Sequence, residues 1–314
     1  MKWRVLITCP QLQQTIDGYR DVFAELDIEI ELPHVEQQLG ESDLLDIIDR
    51  FDGVIAGDDK FTARVLEKGK RLKAIAKWGV GMDGIDLEAA ERMGIRVSNT
   101  PNMFGDEVAD VVMGYIVMLA RQLHKMDQSV RSGGWMKIQG MSLHGKTLGV
   151  IGVGSIGQAI ARRALVAGMS LLGSDVVPVP TSFVEETGLQ LVDLRKLLQA
   201  SDFISLNCNL TPANRHMLGP REFSIMKTGV GIVNTARGPL IEEAALVQAL
   251  QEGRVAGAAL DVFEQEPLPA DSPLRRFDNC IFGTHNSSNT TEAVMRVNEI
   301  AIRNLLEGLE DTAP

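Results

Sequence analysis

Leu148-Gly149-Val150-Ile151-Gly152-Val153-Gly154-Ser155-Ile156-Gly157 is the stretch that decides the fold. It reads as a buried strand entering a G-x-G-x-x-G turn, after which Ile160, Ala161, Ala164 and Leu165 recur on one helical face. Gly152 permits the tight turn, Gly154 lets the backbone approach a pyrophosphate, and Gly157 lets the helix lie close to the strand. The phosphates would sit at the helix N-terminus, where the first amides, Ser155 and Ile156 among them, and the dipole favour negative charge. A second apolar run ends at Asp175, 18 residues beyond Gly157. That is close to the roughly 20 expected of a carboxylate holding the adenosine ribose hydroxyls. Val176, Val177 and Pro178 follow, with no cation to offset a 2′-phosphate, so NAD (NADH) is expected rather than NADP.

Outward from this unit, short apolar runs alternate with helical patterns along the chain. Strands are predicted at 5–8, 53–56, 74–77, 96–99, 148–152, 170–174, 203–207, 231–234, 256–261 and 281–283. Ala245, Leu246, Ala249 and Leu250 illustrate the helical spacing between them. Such alternation predicts an α/β protein with parallel sheets covered on both faces. A chain of 314 residues exceeds what one core usually supports, so two domains are expected. The weakest region is 131–146, a Gly- and Ser-containing stretch around Trp135. It is read as a loop from a long apolar helix (105–123) to the first strand of the next domain.

The formal net charge of −11 argues against nucleic acid or an anionic membrane as the main partner, though not against a small anionic substrate. Cys9, Cys208 and Cys280 are far apart and read as buried, reduced thiols of a cytoplasmic protein; no cluster offers a metal site. The N-terminal run through Val5, Leu6 and Ile7 is too short for a signal peptide and reads as a strand. No stretch reaches the roughly 20 apolar residues of a membrane span.

Three later strands end in chemically useful residues. The run 231–234 leads into Thr235-Ala236-Arg237-Gly238, another strand ends at Asp261 24 residues beyond Arg237, and a third ends at Thr284-His285. Ligands of open parallel sheets bind at the carboxyl ends of strands, so these groups could converge. Reduction of a 2-keto acid needs a cation for the carboxylate and the polarised carbonyl. It also needs an acid to protonate the forming alkoxide. The planar fork of Arg237 suits the first task. His285 suits the second, because imidazole titrates near neutrality. Glu266 could orient that imidazole and stabilise its cation. Read singly, Arg237 could be an ion-pairing residue, Asp261 a turn former and His285 a polar residue at a domain edge.

The motifs Gly79-Val80-Gly81-Met82-Asp83, Gly145-Lys146-Thr147-Leu148-Gly149, the 152–157 loop, Asn234-Thr235-Ala236-Arg237-Gly238, Asp261-Val262-Phe263-Glu264-Gln265-Glu266-Pro267 and His285 occur together in this order. In these the chain resembles the D-isomer-specific 2-hydroxyacid dehydrogenases, the family of phosphoglycerate, glycerate, D-lactate and formate dehydrogenases, over about residues 53–290. The resemblance implies two Rossmann-like doubly wound domains, the cofactor domain (100–284) being inserted into a flavodoxin-like substrate domain (1–99 with 285–314). It implies an NAD-dependent enzyme moving a hydride to or from C2 of a small D-2-hydroxy or 2-keto acid. Arg237 would bind substrate, His285 would act as acid and base, and Glu266 would support it. The amides of Val80 and Gly81 would take the substrate carboxylate. Thr211, Thr235, Ala236 and Asp261 would line the cofactor, Asp261 near the carboxamide. A homodimer is also implied. The apolar helix 108–119 (Val111, Val112, Tyr115, Leu119) could serve that interface or could simply pack in the core.

Departures from the family pattern bear on substrate. Formate dehydrogenases carry glutamine where Glu266 stands, which disfavours that branch. Phe104 replaces an asparagine common before Val108-Ala109-Asp110, and Asn209 stands where proline is common. The loop Ala56-Gly57-Asp58-Asp59-Lys60 is acidic where phosphoglycerate-type relatives place an arginine. A phosphorylated substrate is therefore not expected, although Lys60 or Lys77 could compensate. The chain stops soon after its last helical pattern, so the appended regulatory domain of some phosphoglycerate dehydrogenases is not expected. Two further readings are an NAD-sensing binding protein like the family's corepressors, which the acidic charge disfavours, and a phosphonate or phosphite oxidoreductase.

Overall fold

The computed structural model describes residues 3–311. The chain divides into two compact units. The stretch up to Met103 joins the stretch from Asn289 onward in one, and Phe104–Ser288 forms the other. The crossings thus follow Met103 and Ser288 rather than residues 99 and 284, and His285 falls in the second unit instead of the first. Its position has a local cause: the amides of His285, Asn286 and Ser287 all bond to Asp261 of that unit.

In the first unit the strands are β1 (Trp3–Ile7), β2 (Ile28–Glu31), β3 (Gly53–Ala56), β4 (Ala74–Lys77) and β5 (Arg96–Ser98). All pair in parallel, in the order β2-β1-β3-β4-β5 of flavodoxin-like sheets. Val5, Leu6, Ile7, Val54, Ile55 and Ala76 are fully buried, as expected of strands covered on both faces. The last helix, Thr291–Glu310, lies across β3, β4 and β5. It packs closely because Gly53 leaves room for Leu305 and Gly308 for Ala74.

The second unit holds β6 (Thr147–Ile151), β7 (Ser170–Ser174), β8 (Gln190–Leu191), β9 (Phe203–Leu206), β10 (Val230–Asn234), β11 (Val255–Leu260) and β12 (Cys280–Phe282). Their order is β12-β11-β10-β9-β6-β7-β8, again all parallel. From β6 the chain runs outward through β7 and β8 on one side and through β9 to β12 on the other. The reversal between β6 and β9 is the switch point at which such sheets bind dinucleotides. Each predicted strand is present; β2 and β8 were not foreseen.

Helix Gly105–Arg121 buries Val108, Ala109, Val112, Ile116 and Ala120. It packs on helix Ser155–Val166 and over β10 and β11. Leu119 lies against Gly231 and Gly257, and the Tyr115 hydroxyl lies against Gly283. Val112 is buried and Tyr115 and Leu119 are half-buried, so part of this apolar face is used in the unit's own packing. Each fully buried aliphatic side chain contributes about 1.5–3 kcal/mol. A second helix, Leu123–Arg131, follows, and the loop beyond it rejoins β6 within the same unit. Among the described residues, no helix is long and apolar enough to cross a membrane.

Candidate active site

The glycine turn begins where β6 ends. Gly152 has φ +86, a conformation that side chains resist, and a Cβ there would lie 2.7 Å from the Cys208 nitrogen. A Cβ on Gly157 would run into the Gly152 carbonyl, so helix and strand can approach this closely only without one. Gly154 differs from both: nothing lies within 4 Å of its Cβ position. The open side of this residue is the space a pyrophosphate needs. The helix makes its first bond from the Gln158 N–H to the Gly154 carbonyl (2.9 Å), so the Ser155, Ile156 and Gly157 amides precede the intrahelical ladder.

Asp175, exposed at the end of β7, accepts from the Val153 N–H (2.6 Å) and the Val177 N–H (2.8 Å). The acid is thereby tied to the glycine turn itself. Past β9, the Thr211 N–H (2.7 Å) and hydroxyl (3.1 Å) both donate to Asn214 Oδ1, and Asn214 Nδ2 donates to the Asn209 carbonyl (2.8 Å). Asn209 so closes the turn that carries Thr211.

At the end of β10, buried Asn234 shapes the turn that presents Arg237. Its Nδ2 donates to the Arg237 carbonyl (2.9 Å), and its Oδ1 accepts the Ala236 N–H (3.0 Å). Arg237, half-buried, donates from Nη1 to the Ala236 carbonyl (2.8 Å). Gly238 is obligatory, because a Cβ would run into the Phe263 carbonyl. Among the described residues, the buried Thr235 Oγ1 has no hydrogen-bond partner. A buried hydroxyl without a partner costs free energy unless a ligand meets it. Together with the open Gly154, the helix amides and Asp175, this fits a dinucleotide.

Asp261, 1 % exposed at the end of β11, holds the next segment. Its Oδ1 accepts the Asn286 N–H (3.1 Å), its Oδ2 the Ser287 N–H (2.8 Å), and its carbonyl the His285 N–H (2.7 Å). Burial first, and then the charge of Asp261, push the nearby Tyr115 hydroxyl up to about 12. His285 is held at φ +55, an uncommon conformation for a histidine. Its Nδ1 lies 2.8 Å from Glu266 Oε2, while Glu266 Oε1 accepts the Phe263 N–H (2.9 Å). Both side chains are largely shielded from solvent. A carboxylate fixed at one oxygen and facing a ring nitrogen with the other sets the tautomer and orientation of the imidazole.

The second unit thus brings Asp261, Glu266 and His285 into one bonded array. Arg237 is joined to it through Gly238 and through the bond of the Asp261 N–H to the Asn234 carbonyl (2.9 Å). Val80 and Gly81 lie half-buried in the loop after β4, in the first unit. In the same unit, buried Lys77 donates to Asp58 (2.9 Å) and to the Trp78 carbonyl (3.2 Å), so its charge is already met. In the sequence Asn234 stands only as the first residue of the motif 234–238, with no role of its own. Its signal is an asparagine where a buried strand turns, a residue that commonly bonds the backbone two or three residues on.

Residues 113–287 match the family model described as "D-isomer specific 2-hydroxyacid dehydrogenase, NAD binding domain". The chain is 41% identical over 273 residues to a hydroxypyruvate reductase of Thermotoga maritima, a match covering 85% of this chain and 88% of that protein. It is 39% identical over 295 residues to a D-3-phosphoglycerate dehydrogenase of Methanocaldococcus jannaschii, covering 92% of this chain but only 54% of that longer protein. Among solved structures, D-lactate dehydrogenase from Aquifex aeolicus, complexed with NAD and lactic acid, superimposes with a TM-score of 0.85 at 28% identity and covers 99% of each chain.

Proposed function

The chain belongs to the NAD-binding D-isomer-specific 2-hydroxyacid dehydrogenases, and on that premise we propose that it interconverts a small, unphosphorylated 2-keto acid and its D-2-hydroxy acid. The observation that carries this reading is the His285–Glu266 pair, 2.8 Å apart, with the second oxygen of Glu266 committed to a backbone amide. Bound NADH supplies the hydride. Arg237 binds the substrate through its fork, which matches a carboxylate and its neighbouring carbonyl oxygen. His285 gives the proton to the forming alkoxide and takes it back in the reverse direction, with Glu266 stabilising the imidazolium. The amides of Val80 and Gly81 are assigned to the substrate carboxylate. Ser155, Ile156, Thr211, Thr235, Ala236 and Asp261 are assigned to the cofactor. The Lys77–Asp58 pair supports an unphosphorylated substrate, since it removes Lys77, one of the two lysines that could have met a phosphate.

Loss of NADH absorbance with glyoxylate, hydroxypyruvate, pyruvate, bulkier 2-keto acids and phosphohydroxypyruvate tests the proposal. Turnover of one or more of the unphosphorylated acids is expected. Turnover of the phosphorylated acid alone would contradict the substrate class.

We also infer a cytoplasmic homodimer. Trp135 (80 % exposed) and Met136 (58 %) are neighbouring large apolar residues left in solvent, as residues at protein contacts are, and Val130 and Met141 of the same stretch of chain are exposed too. Three free cysteines accord with a reducing compartment. Sedimentation should give twice the 34.2 kDa chain mass, and Trp135→Ser should lower it. A monomeric wild type would rule the dimer out.

A further inference from the structure

We propose that Asn99 and Thr100 are positioning residues that aim the Val80 and Gly81 amides at the substrate carboxylate. In a trans peptide the C=O and the following N–H point in opposite directions, so whatever holds the oxygen also directs the hydrogen. The carbonyl paired with the Gly81 N–H is that of Val80, and Asn99 Nδ2 donates to it at 2.7 Å. The carbonyl paired with the Val80 N–H is that of Gly79. It accepts both the Thr100 N–H (3.0 Å) and the Thr100 hydroxyl (3.2 Å). The same hydroxyl accepts the Gly79 N–H (3.1 Å), so the loop is gripped from both sides of Gly79. Among the described residues, neither the Val80 nor the Gly81 N–H donates to a protein acceptor.

Two consecutive residues therefore hold two consecutive peptide planes. The grip is itself anchored: Asn304, on helix Thr291–Glu310, donates from Nδ2 to the Asn99 carbonyl (3.0 Å). Thr100 is fully buried. Donation into a carbonyl also polarises the N–H of the same peptide, which strengthens its bond to an anion. Gly79, at φ +131, supplies the backbone turn that a side chain would oppose. None of these groups touches a reacting atom; they act through the two amides.

This inference rests on the substrate role proposed for those amides. Its test compares Asn99→Ala, Thr100→Val and Thr100→Ser with the wild type on the best unphosphorylated keto acid. KM, kcat, the NADH Kd by fluorescence titration and the thermal midpoint are all measured. For Asn99→Ala we expect KM to rise about tenfold, the worth of one hydrogen bond to a charged group. The NADH Kd should hold, because the glycine turn lies in the other unit. Thr100→Val should raise KM less, since the backbone N–H still holds Gly79, and Thr100→Ser should restore it. An unchanged KM in both Asn99→Ala and Thr100→Val would overturn the inference. So would KM and NADH Kd rising together with a lowered midpoint, the mark of a packing defect. Failure of the wild type to reduce any 2-keto acid would instead remove the function beneath it, and this inference with it.

Discussion

His285 is constrained at two points, by the Asp261 carbonyl on its backbone and by Glu266 on its ring. Glu266→Gln tests what the second constraint supplies. The new Oε1 would keep the Phe263 N–H, which turns the NH2 toward His285 Nδ1 and demands the opposite tautomer. We expect kcat to fall roughly 10²-fold, the lower end of what acid–base catalysis contributes, with the NADH Kd preserved. Steady-state kinetics beside a binding titration would show it, and an unchanged kcat would refute the orienting role. Asp175 governs a different choice. Asp175→Ser removes the carboxylate that would repel a 2′-phosphate, so the preference for NADH over NADPH in kcat/KM should drop about tenfold or more. A retained preference would place discrimination elsewhere. Arg237, Glu266, His285 and the three glycines were legible in the sequence because their chemistry is particular to their residue type. Asn99, Thr100 and Asn234 were not, because uncharged side chains that bond only the backbone look the same as any polar residue beside a turn.

Asp202 shows how the strands are clamped. It precedes β9, and its carboxylate accepts the Thr147 N–H of β6 (2.8 Å) and the Lys227 ammonium (3.0 Å). Burial pushes this carboxyl up, but those two donors more than reverse it, and it sits below the ordinary 3.8. Its stabilisation is therefore present above the ordinary value and is lost as the pH falls through the lower folded value. Asp59 has the opposite sign. Burial raises its carboxyl, in spite of the Thr8 hydroxyl and the Leu39 N–H that it accepts. Its contribution is present below 3.8 and is lost as the pH rises through the raised folded value. In urea unfolding across a pH series, Asp202→Asn should flatten the acid limb and cost about 1–3 kcal/mol at neutrality. Asp59→Asn should flatten the limb on the other side of the ordinary value. Parallel profiles in wild type and variants would contradict both assignments.

The same scale explains the two missed strands. Central strands announce themselves as continuous apolar runs because both faces are buried. β2 is an edge strand reading Ile28-Glu29-Ile30-Glu31, and its alternation, rather than an apolar run, is the signal of a half-buried strand. β8 is a two-residue edge, too short to leave any pattern.

Across the whole molecule, the class of fold followed from strand–helix alternation, and the glycine turn located the cofactor strand. The positions of the two crossings did not follow. The crossing after Ser288 goes with hydrogen bonds that reach back to Asp261 from His285, Asn286 and Ser287, and such long-range pairings leave no mark in local composition. The apolar stripe of helix Gly105–Arg121 reads alike in the sequence whether a sheet or a second chain covers it. Here Leu119 and Tyr115 meet glycines of the sheet.

The proposed function has this chain reduce a 2-keto acid with NADH, with His285 supplying the proton. The most direct test is the turnover of glyoxylate or hydroxypyruvate at saturating NADH by the wild type and by His285→Ala, with the NADH Kd measured for both. Turnover by the wild type, a loss of about 10²–10⁴-fold in the variant and an unchanged Kd are expected. A variant as active as the wild type, or a wild type that binds NADH tightly yet reduces neither acid, would contradict that function.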